Sequence, residues 1–422
     1  MTALPSAVWL YDDARARTFE PFALTRPASA MLAGTRLVRD RWALVFDVAS
    51  TVALCADHLS GLYDGDDVAG ADGVDAIPAG SVIANARCVP VAGTLEADDQ
   101  LQRGPGVWRC ASRVAAVRTD RALARADFAS GALTLEEITP SGVESGEVAG
   151  WWVDDPWDYI RWLPALLEDD IMRLARGALG GAAMQIPYEP PPEHAAVLGE
   201  YPVCFLAGAV VEPHVVLDAT AGPILVGRKS SVQAFTRLVG PCFVGPGSTI
   251  AGGDVRGSAI GPVCKVRGEV SASIFVGYAN KGHEGFVGHS CLGEWANLGA
   301  GTTTSNLKNT YGAVSVDTPH GVRETGMQFL GTLFGDHVKT GIGTRLTTGT
   351  IVGAGANIHG SRMPPKLVPP FAWGDTPPYR TYDIEKFLVV AERAMERRAV
   401  SLTPSMRRAL VAAFERRWTV PA

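Results

Sequence analysis

Between residues 279 and 308 the chain concentrates side chains able to do chemistry. The stretch ANKGHEGF at 279–286 and the stretch GEWANLGAGTTTSNLK at 293–308 bring Lys281, His283, His289, Asn297, Asn306 and Lys308 close together in sequence. An imidazole exchanges protons near neutral pH and can act as acid or base. An ammonium neutralises a phosphate, and a side-chain amide donates and accepts hydrogen bonds at once. Taken alone, a histidine here reads as a solvated corner or a satisfied hydrogen bond sooner than as a catalytic base. What decides is whether the elements carrying these residues bring them to one groove.

Those elements show a six-residue period. Aliphatic residues recur at Val226, Val232, Leu238, Val244 and Ile250, return at Ile260 and Val266, then at Leu292 and Leu298, and again at Leu346, Val352 and Ile358. Glycine often follows, as in Val226-Gly227 and Leu298-Gly299. Neither a helix nor an alternating strand has this period; a hexapeptide β-helix does. Each hexad gives a short strand and a corner, and three hexads, about 18 residues, close one coil. Residues one coil apart then stack, which sets His283 over Gly301 and lines one groove with polar side chains. The register lapses over 307–328, a polar stretch that predicts an excursion loop.

The rest of the chain divides around this block. Residues 1–175 alternate strand-like and helix-like stretches, an α/β pattern, with short buried strands at Val8–Tyr11 and Val82–Ala84 and one helix over Asp154–Arg176. Residues 176–202, with Gly180-Gly181 and Pro190-Pro191-Pro192, read as a linker. The β-helix is expected over 203–363. The segment 364–422 opens with Pro364-Pro365 and continues with helices over Asp383–Arg398 and Pro404–Trp418. Its arginine pairs at 397–398, 407–408 and 416–417 are interspersed with Glu385, Glu392, Glu396 and Glu415, which reads as a solvated helix face.

Composition excludes several classes. Net charge is −6 with 19% charged and 47% hydrophobic residues, against a nucleic-acid binder and against wholesale disorder. No apolar run reaches the ~18 residues of a membrane span, and Asp12 and Asp13 come too early for a signal peptide. Seven scattered cysteines without a C-x-x-C read as reduced thiols in a cytoplasmic protein. All the lysines (229, 265, 281, 308, 339, 366 and 386) lie in the second half.

Residues 274–308 resemble the left-handed β-helix acetyltransferase domain of bifunctional N-acetylglucosamine-1-phosphate uridyltransferases. They are still more similar to archaeal sugar-1-phosphate nucleotidyltransferase/amino-sugar acetyltransferases. The motifs are K-G-H-x-x-F-V-G from Lys281, N-L-G-A-G-T-T-T-S-N-L from Asn297 and G-D-H-V-K-T-G-I-G at 335–343. A related subgroup shares L-Y-D-D at 10–13, L-T-R-P at 24–27 and V-P-P-F-A-W-G at 368–374, so this likeness spans the chain. The resemblance implies His283 as general base, taking a proton from an amino sugar before nitrogen attacks a thioester. It implies Arg267 and Lys281 on the sugar phosphate and Asn297 and Asn306 near the amine and thioester. It places the Gly299-Ala300 backbone at the oxyanion and acetyl-CoA. Phe286 and Leu307 stand where the family carries tyrosines, which leaves the acceptor sugar open. His289 and His337 are expected to be structural or at the groove rim, and Lys339 to approach the groove from a later coil or to lie on the surface. Histidines 283 and 289 lack the H-x4-H spacing of zinc-binding β-helix enzymes, so no metal is expected there.

The nucleotidyltransferases of this class open with a strand and a glycine-rich loop that cradles phosphates. Here the matching stretch is Leu10-Tyr11-Asp12-Asp13-Ala14-Arg15-Ala16-Arg17, without glycine, and the later Leu24-Thr25-Arg26-Pro27 lacks the usual lysine. Arg15, Arg17 and Arg26 are the candidate nucleotide contacts in its place. At Asn85-Ala86-Arg87, a Gly-Asp pair with a magnesium-binding carboxylate would be expected; Mg²⁺ is implied only if this domain is active. The Trp-rich stretch 151–158 reads as packing between domains or a base-stacking platform.

The expectation is therefore a Rossmann-like α/β nucleotidyltransferase-like domain, then a left-handed parallel β-helix of the trimeric hexapeptide type, then C-terminal helices. The main expected function is acetyl transfer from acetyl-CoA to an amino-sugar 1-phosphate by a homotrimer. Its rivals are nucleotidyl transfer from an NTP to a sugar 1-phosphate, and a non-catalytic assembly or regulatory role.

Overall fold

The computed structural model describes residues 7–59, 75–93, 106–177 and 188–419. The apolar strand Ala7–Tyr11 sits inside a six-stranded sheet, parallel to Ser50–Leu54 on one side and Val82–Asn85 on the other. Parallel neighbours need a crossover. The helix Val38–Val45 lies in the first one and buries Val38, Trp42 and Val45, with Trp42 Nε1 donating to the Cys88 carbonyl at 3.0 Å. Beyond Val82–Asn85 the sheet turns antiparallel through Arg113–Arg118 and Gly106–Cys110, and ends at Glu144–Glu147. The single helix expected over 154–176 is two pieces, Asp158–Arg161 and Leu163–Ala175. Pro164, which has no N–H, starts the second. The Asp158 carboxylate caps the chain before the first by accepting from Asp154 and Asp155 N–H.

The second half is a parallel β-helix of three sheets, the prism that the hexads predict. The stack runs from Ala196–Leu198 to Ala372–Trp373 and so exceeds the expected 203–363 at both ends. Proline-rich flanks hid the outer coils, because a coil edge tolerates proline where no N–H is needed. Of the expected linker, residues 178–187 lie outside the described residues. The coils are also not uniformly 18 residues. Val232 pairs with Ile250, Ile250 with Val266, Val266 with Lys281 and Asn280 with Asn297. Corners shortened in the middle coils shift the stack, and Glu284 rather than His283 reaches Gly301, whose N–H donates to the Glu284 carbonyl at 2.9 Å.

The three prism faces differ in what they show outward. On one sheet the outward column Leu225, Phe243, Ala259, Ile274, Cys291, Leu333 and Ile351 is buried in a core shared with Trp42, Trp157 and Leu167 of the first domain. That sheet is dry on both sides and welds the domains. Trp157 thus packs between them, while Trp151 and Trp152 are half-buried against the same core. A second sheet shows Arg237, Asp254, Arg256 and Glu269 to solvent. The third shows a polar column, Thr249, Lys265, Asn280, Asn297, Lys339 and Asn357, paired strand to strand.

An excursion leaves the stack after the strand Thr303–Thr304. A Leu307–Phe329 bridge closes its base, and its tip is the hairpin Ser315–Thr318/Gly321–Glu324. Arg323 of that hairpin pairs with Asp155, and Arg161 donates to the Thr325 carbonyl, so the loop is tied to the first domain. The C-terminal helices Ile384–Glu396 and Pro404–Glu415 are capped by Asp383 and Thr403. The first lies against the polar face of the prism.

Candidate active site

The polar column and the helix Ile384–Glu396 enclose a cavity of about 580 Å³, within the range of small-molecule sites. His283, Asn280, Asn297, Lys265 and Lys339 line one wall, with Tyr278 and Trp295 beside them; Arg393, Arg397 and Arg398 line the other. His283 is exposed on the short loop after Asn280–Lys281, and its ring makes no hydrogen bond among the described residues. Asn280 Nδ2 donates to Asn297 Oδ1 at 2.7 Å, which leaves the Asn297 amide NH₂ as a donor on the cavity wall. Tyr278 and Trp295 stack at 4.2 Å between centroids. Burial lowers Lys339 to about 8, so it is charged below that pH and loses its charge above it.

Several candidate residues stand elsewhere. Lys281 does not line the cavity: it occupies the inward column between Val266 and Leu298 and is 2% exposed. Its ammonium donates to the carbonyls of Arg267 at 2.7 Å and His283 at 2.9 Å, and burial lowers it to about 8. It therefore holds the loop that carries the histidine. Arg267 is exposed and paired with Glu284 at 3.1 Å. Asn306 lies on another corner, where its amide contacts His289 Nδ1 at 2.9 Å and His289 stacks on Phe329. The Gly299 N–H is donated to the Thr340 carbonyl and Oγ1, both at 3.1 Å, which takes it out of oxyanion duty, and the Ala300 carbonyl accepts from Gly343. His337 is buried between Trp295 and Phe387, and burial pushes it down to about 3, so it is neutral and structural. Sequence reasoning missed Asn280, Tyr278, Trp295, Lys265 and the three arginines. The column pairing Lys265–Asn280–Asn297–Lys339 is the signal that finds the first and fourth, once coil lengths are known.

In the first domain the strand ends at Tyr11 and Asn85 frame a crevice of about 300 Å³, lined also by Asp13, Arg15, Arg87, Arg113 and Trp152. The loop after Tyr11 offers no phosphate cradle. Its Ala14, Ala16, Arg17 and Thr18 N–H groups are all donated within the protein, to Gly131 O, Asp13 Oδ1, Asp13 O and Arg15 O. The carboxylates that could hold a divalent cation are occupied. Arg87 Nε and Nη2 donate to Asp13 at 2.7–3.0 Å, its Nη1 donates to Asp154 at 2.5 Å, and Arg113 also binds Asp154. Asp13 is accordingly held below the ordinary carboxylate range despite burial. This donor set does not fit Mg²⁺, and no cluster of three or more metal-ligating acids, histidines or cysteines occurs among the described residues. Of the candidate nucleotide contacts, Arg15 pairs with Asp155 and Arg17 donates to the carbonyls of Asp12, Phe128 and Ala129. Arg26 is 1% exposed and bound to Asp336 across the domain interface, which removes it from the crevice.

Asp12 beside this crevice is 3% exposed, and burial pushes its carboxyl up to about 7. A raised pKa means that the folded protein keeps a proton which the unfolded chain releases near pH 4. Stability therefore falls as pH rises from about 4 to 7, by at most ~1.4 kcal/mol per pH unit. Asp12→Asn should flatten that part of the melting-temperature profile. An unchanged slope would show the carboxyl to be ionised in the fold.

Residues 8–178 match the family described as sugar nucleotidyl transferase. The chain is also similar to a bifunctional sugar-1-phosphate nucleotidylyltransferase/acetyltransferase of Sulfurisphaera tokodaii, 34% identical over 91 residues, which is 22% of this chain and 23% of that protein. It is 37% identical over 103 residues to the bifunctional protein GlmU of a Jannaschia species, 23% of this chain and 22% of the relative. A putative acetyltransferase of Escherichia coli, YaiX, is 26% identical over 154 residues, 34% of this chain and 64% of its own length. The chain thus spans about a quarter of the first curated relative. Among solved structures, the Arabidopsis UDP-N-acetylglucosamine acyltransferase is 12% identical with a TM-score of 0.31, covering 53% of this chain and 94% of its own. The family match falls on the first domain, and the relative of Sulfurisphaera tokodaii joins a nucleotidylyltransferase to an acetyltransferase by name.

Proposed function

We propose that the prism cavity transfers an acetyl group from acetyl-CoA to the amino group of a phosphorylated amino sugar. The observation that carries this reading is an unbonded imidazole, His283, on a cavity wall of paired amides and lysines. In the proposed step His283 takes the proton of the acceptor ammonium. The freed nitrogen attacks the thioester carbonyl. As the tetrahedral adduct collapses the C–S bond breaks, the adduct nitrogen's second proton passes to the departing sulfur, and the thiol leaves while the first proton stays on His283 until solvent takes it. Asn297 supplies a donor to the polar groups of acceptor or adduct. Lys281 acts as a positioning residue, and Lys339 supplies charge for a phosphate. The relatives' names, acetyltransferase among them, support the reading.

The test is a screen of amino-sugar 1-phosphates with acetyl-CoA, read as free thiol. Thiol release matched by N-acetylated product supports the proposal; no release above hydrolysis with any acceptor rejects it.

The match of residues 8–178 favours a second reading, nucleotidyl transfer in the first domain. We set it behind the first because Arg87 already fills the place between Asp13 and Asp154. A screen for pyrophosphate release from UTP or dTTP with Mg²⁺ and sugar 1-phosphates should show none, and release would restore a bifunctional enzyme.

We further propose a trimer of prisms, supported by Phe235 and Ile342, 79% and 83% exposed at prism corners. Sedimentation should give about three times 44.5 kDa at micromolar concentration, and a monomer that turns over would refute it. A cytoplasmic setting follows from the CoA chemistry; the seven cysteines are all free, and no helix among the described residues is long and apolar enough to cross a membrane.

A further inference from the structure

The arginines of the helix Ile384–Glu396 and its end are exposed or half-buried, but they do not pair with acids as their charge pattern predicts. Arg407 does: it pairs with Glu392 at 3.8 Å. Arg393, Arg397 and Arg398 instead line the cavity opposite Lys265 and Lys339. None of these five side chains has an ion pair or a side-chain hydrogen bond among the described residues, and no carboxylate lines the cavity. Elsewhere the chain pairs its arginines readily, at Arg15, Arg26, Arg87, Arg113, Arg237, Arg256, Arg267 and Arg362 among others. The whole protein is acidic, at −6. Five unpaired cations facing one space repel each other, and an anion of matching charge relieves that repulsion.

Compensation of the helix dipole accounts for cations in a last turn. It does not account for Lys265 and Lys339, which come from the prism, from columns paired through Asn280 and Asn297. Arg393 and Arg397 are four apart and so share one helix face. Guanidinium forks grip phosphate oxygens bidentately, where an ammonium acts as a point charge. Trp295 is buried in a stack between Tyr278 and His337, and the half-buried Tyr278 gives the same cavity an aromatic side chain against which a base or sugar can lie.

We propose that this wall is a diphosphate site, built by Arg393, Arg397 and Arg398 with Lys265 and Lys339, and that it holds the nucleoside-diphosphate portion of a substrate within a single chain. The site rests on the acyl-transfer reading only for the source of the ligand. That source is either the diphosphate of the acyl-CoA donor or that of a nucleotide-linked acceptor sugar; the shared chemistry is the diphosphate. The helix that follows the last coil thus supplies a substrate-binding wall.

The experiment is equilibrium binding to the full chain at low salt, without acceptor or acetyl donor, using inorganic pyrophosphate, ADP, UDP and CoA as probes. Binding of pyrophosphate and at least one nucleoside diphosphate is expected, weakening as salt rises. Arg393→Gln and Arg397→Gln should each weaken it roughly tenfold, and Arg397→Glu should abolish it. Arg407→Gln, on the next helix and outside the cavity, should leave it unchanged. Melting temperatures of the glutamine variants should match the parent, because these side chains make no internal bonds. Loss confined to CoA names the donor as the source, and loss confined to UDP names the acceptor. Affinities unchanged within twofold in both glutamine variants, or no diphosphate binding by the parent, would overturn the site. Thiol release reads the transfer reaction and this experiment reads binding alone, so either claim can fail while the other stands.

Discussion

His283→Ala should lower kcat for acetyl transfer by roughly 10²–10⁴-fold, the span for losing a general base, with the melting temperature nearly unchanged. The two halves of this expectation have separate physical grounds. The ring is exposed and makes no hydrogen bond among the described residues, so truncation opens no cavity and strands no partner. The loop stays in place because what Lys281 holds is the His283 carbonyl, at 2.9 Å, which alanine keeps. Lys281→Met should act differently. It removes the ammonium that ties the carbonyls of Arg267 and His283, so turnover should fall through misplacement of the loop. Restoring turnover to the alanine variant with added imidazole would show that proton transfer is what was lost. Near-parental turnover by His283→Ala on the best acceptor would mean that the imidazole is not the base.

The second large effect is on stability. Asp336→Ala should destabilise the protein by about 3–5 kcal/mol, the cost of stranding a buried charge, which is on the order of a 10 °C fall in melting temperature. Asp336 is 4% exposed and serves both domains at once. Its oxygens accept from Arg26 Nε and Nη2 at 2.9–3.1 Å, from Thr25 Oγ1 at 2.8 Å and from Glu294 N–H at 2.7 Å. Removing the carboxylate takes these bonds from the Arg26 guanidinium, which is 1% exposed and has Glu294 at 3.2 Å as a longer ion pair. The double variant Arg26→Met/Asp336→Leu should recover much of the loss, because neither charge is then buried alone. Differential scanning calorimetry of the two variants decides the point. A single variant that melts with the parent would show that water reaches the pair.

The prism was legible in the sequence because its period is dictated by its own core: Val226, Val232, Leu238, Val244 and Ile250 all point inward. The lengths of its coils were not, because shortened corners leave no hydrophobic mark. That is why Lys281 passed for a groove residue. It shares a motif with His283, yet the strand Asn280–Lys281 turns neighbouring side chains to opposite faces. Asn306 was misplaced for a related reason: it follows a further corner, and its partner there is His289. Arg26 looked like a substitute for a missing lysine, but its true partner, Asp336, lies 310 residues on. No local pattern reveals such a contact. The arginines at 393, 397 and 398 were legible as charges only; their role depends on which prism face the helix covers.

We propose that acyl transfer occurs in one chamber, between the polar column of the prism and the helix Ile384–Glu396. A crystal structure with coenzyme A and the best acceptor found tests it most directly. Density for both ligands is expected in that chamber, with the acceptor amine within hydrogen-bond reach of His283, about 3 Å, and the CoA thiol beside it. Coenzyme A or acceptor bound on another face of the prism, with the His283 chamber empty, would contradict it.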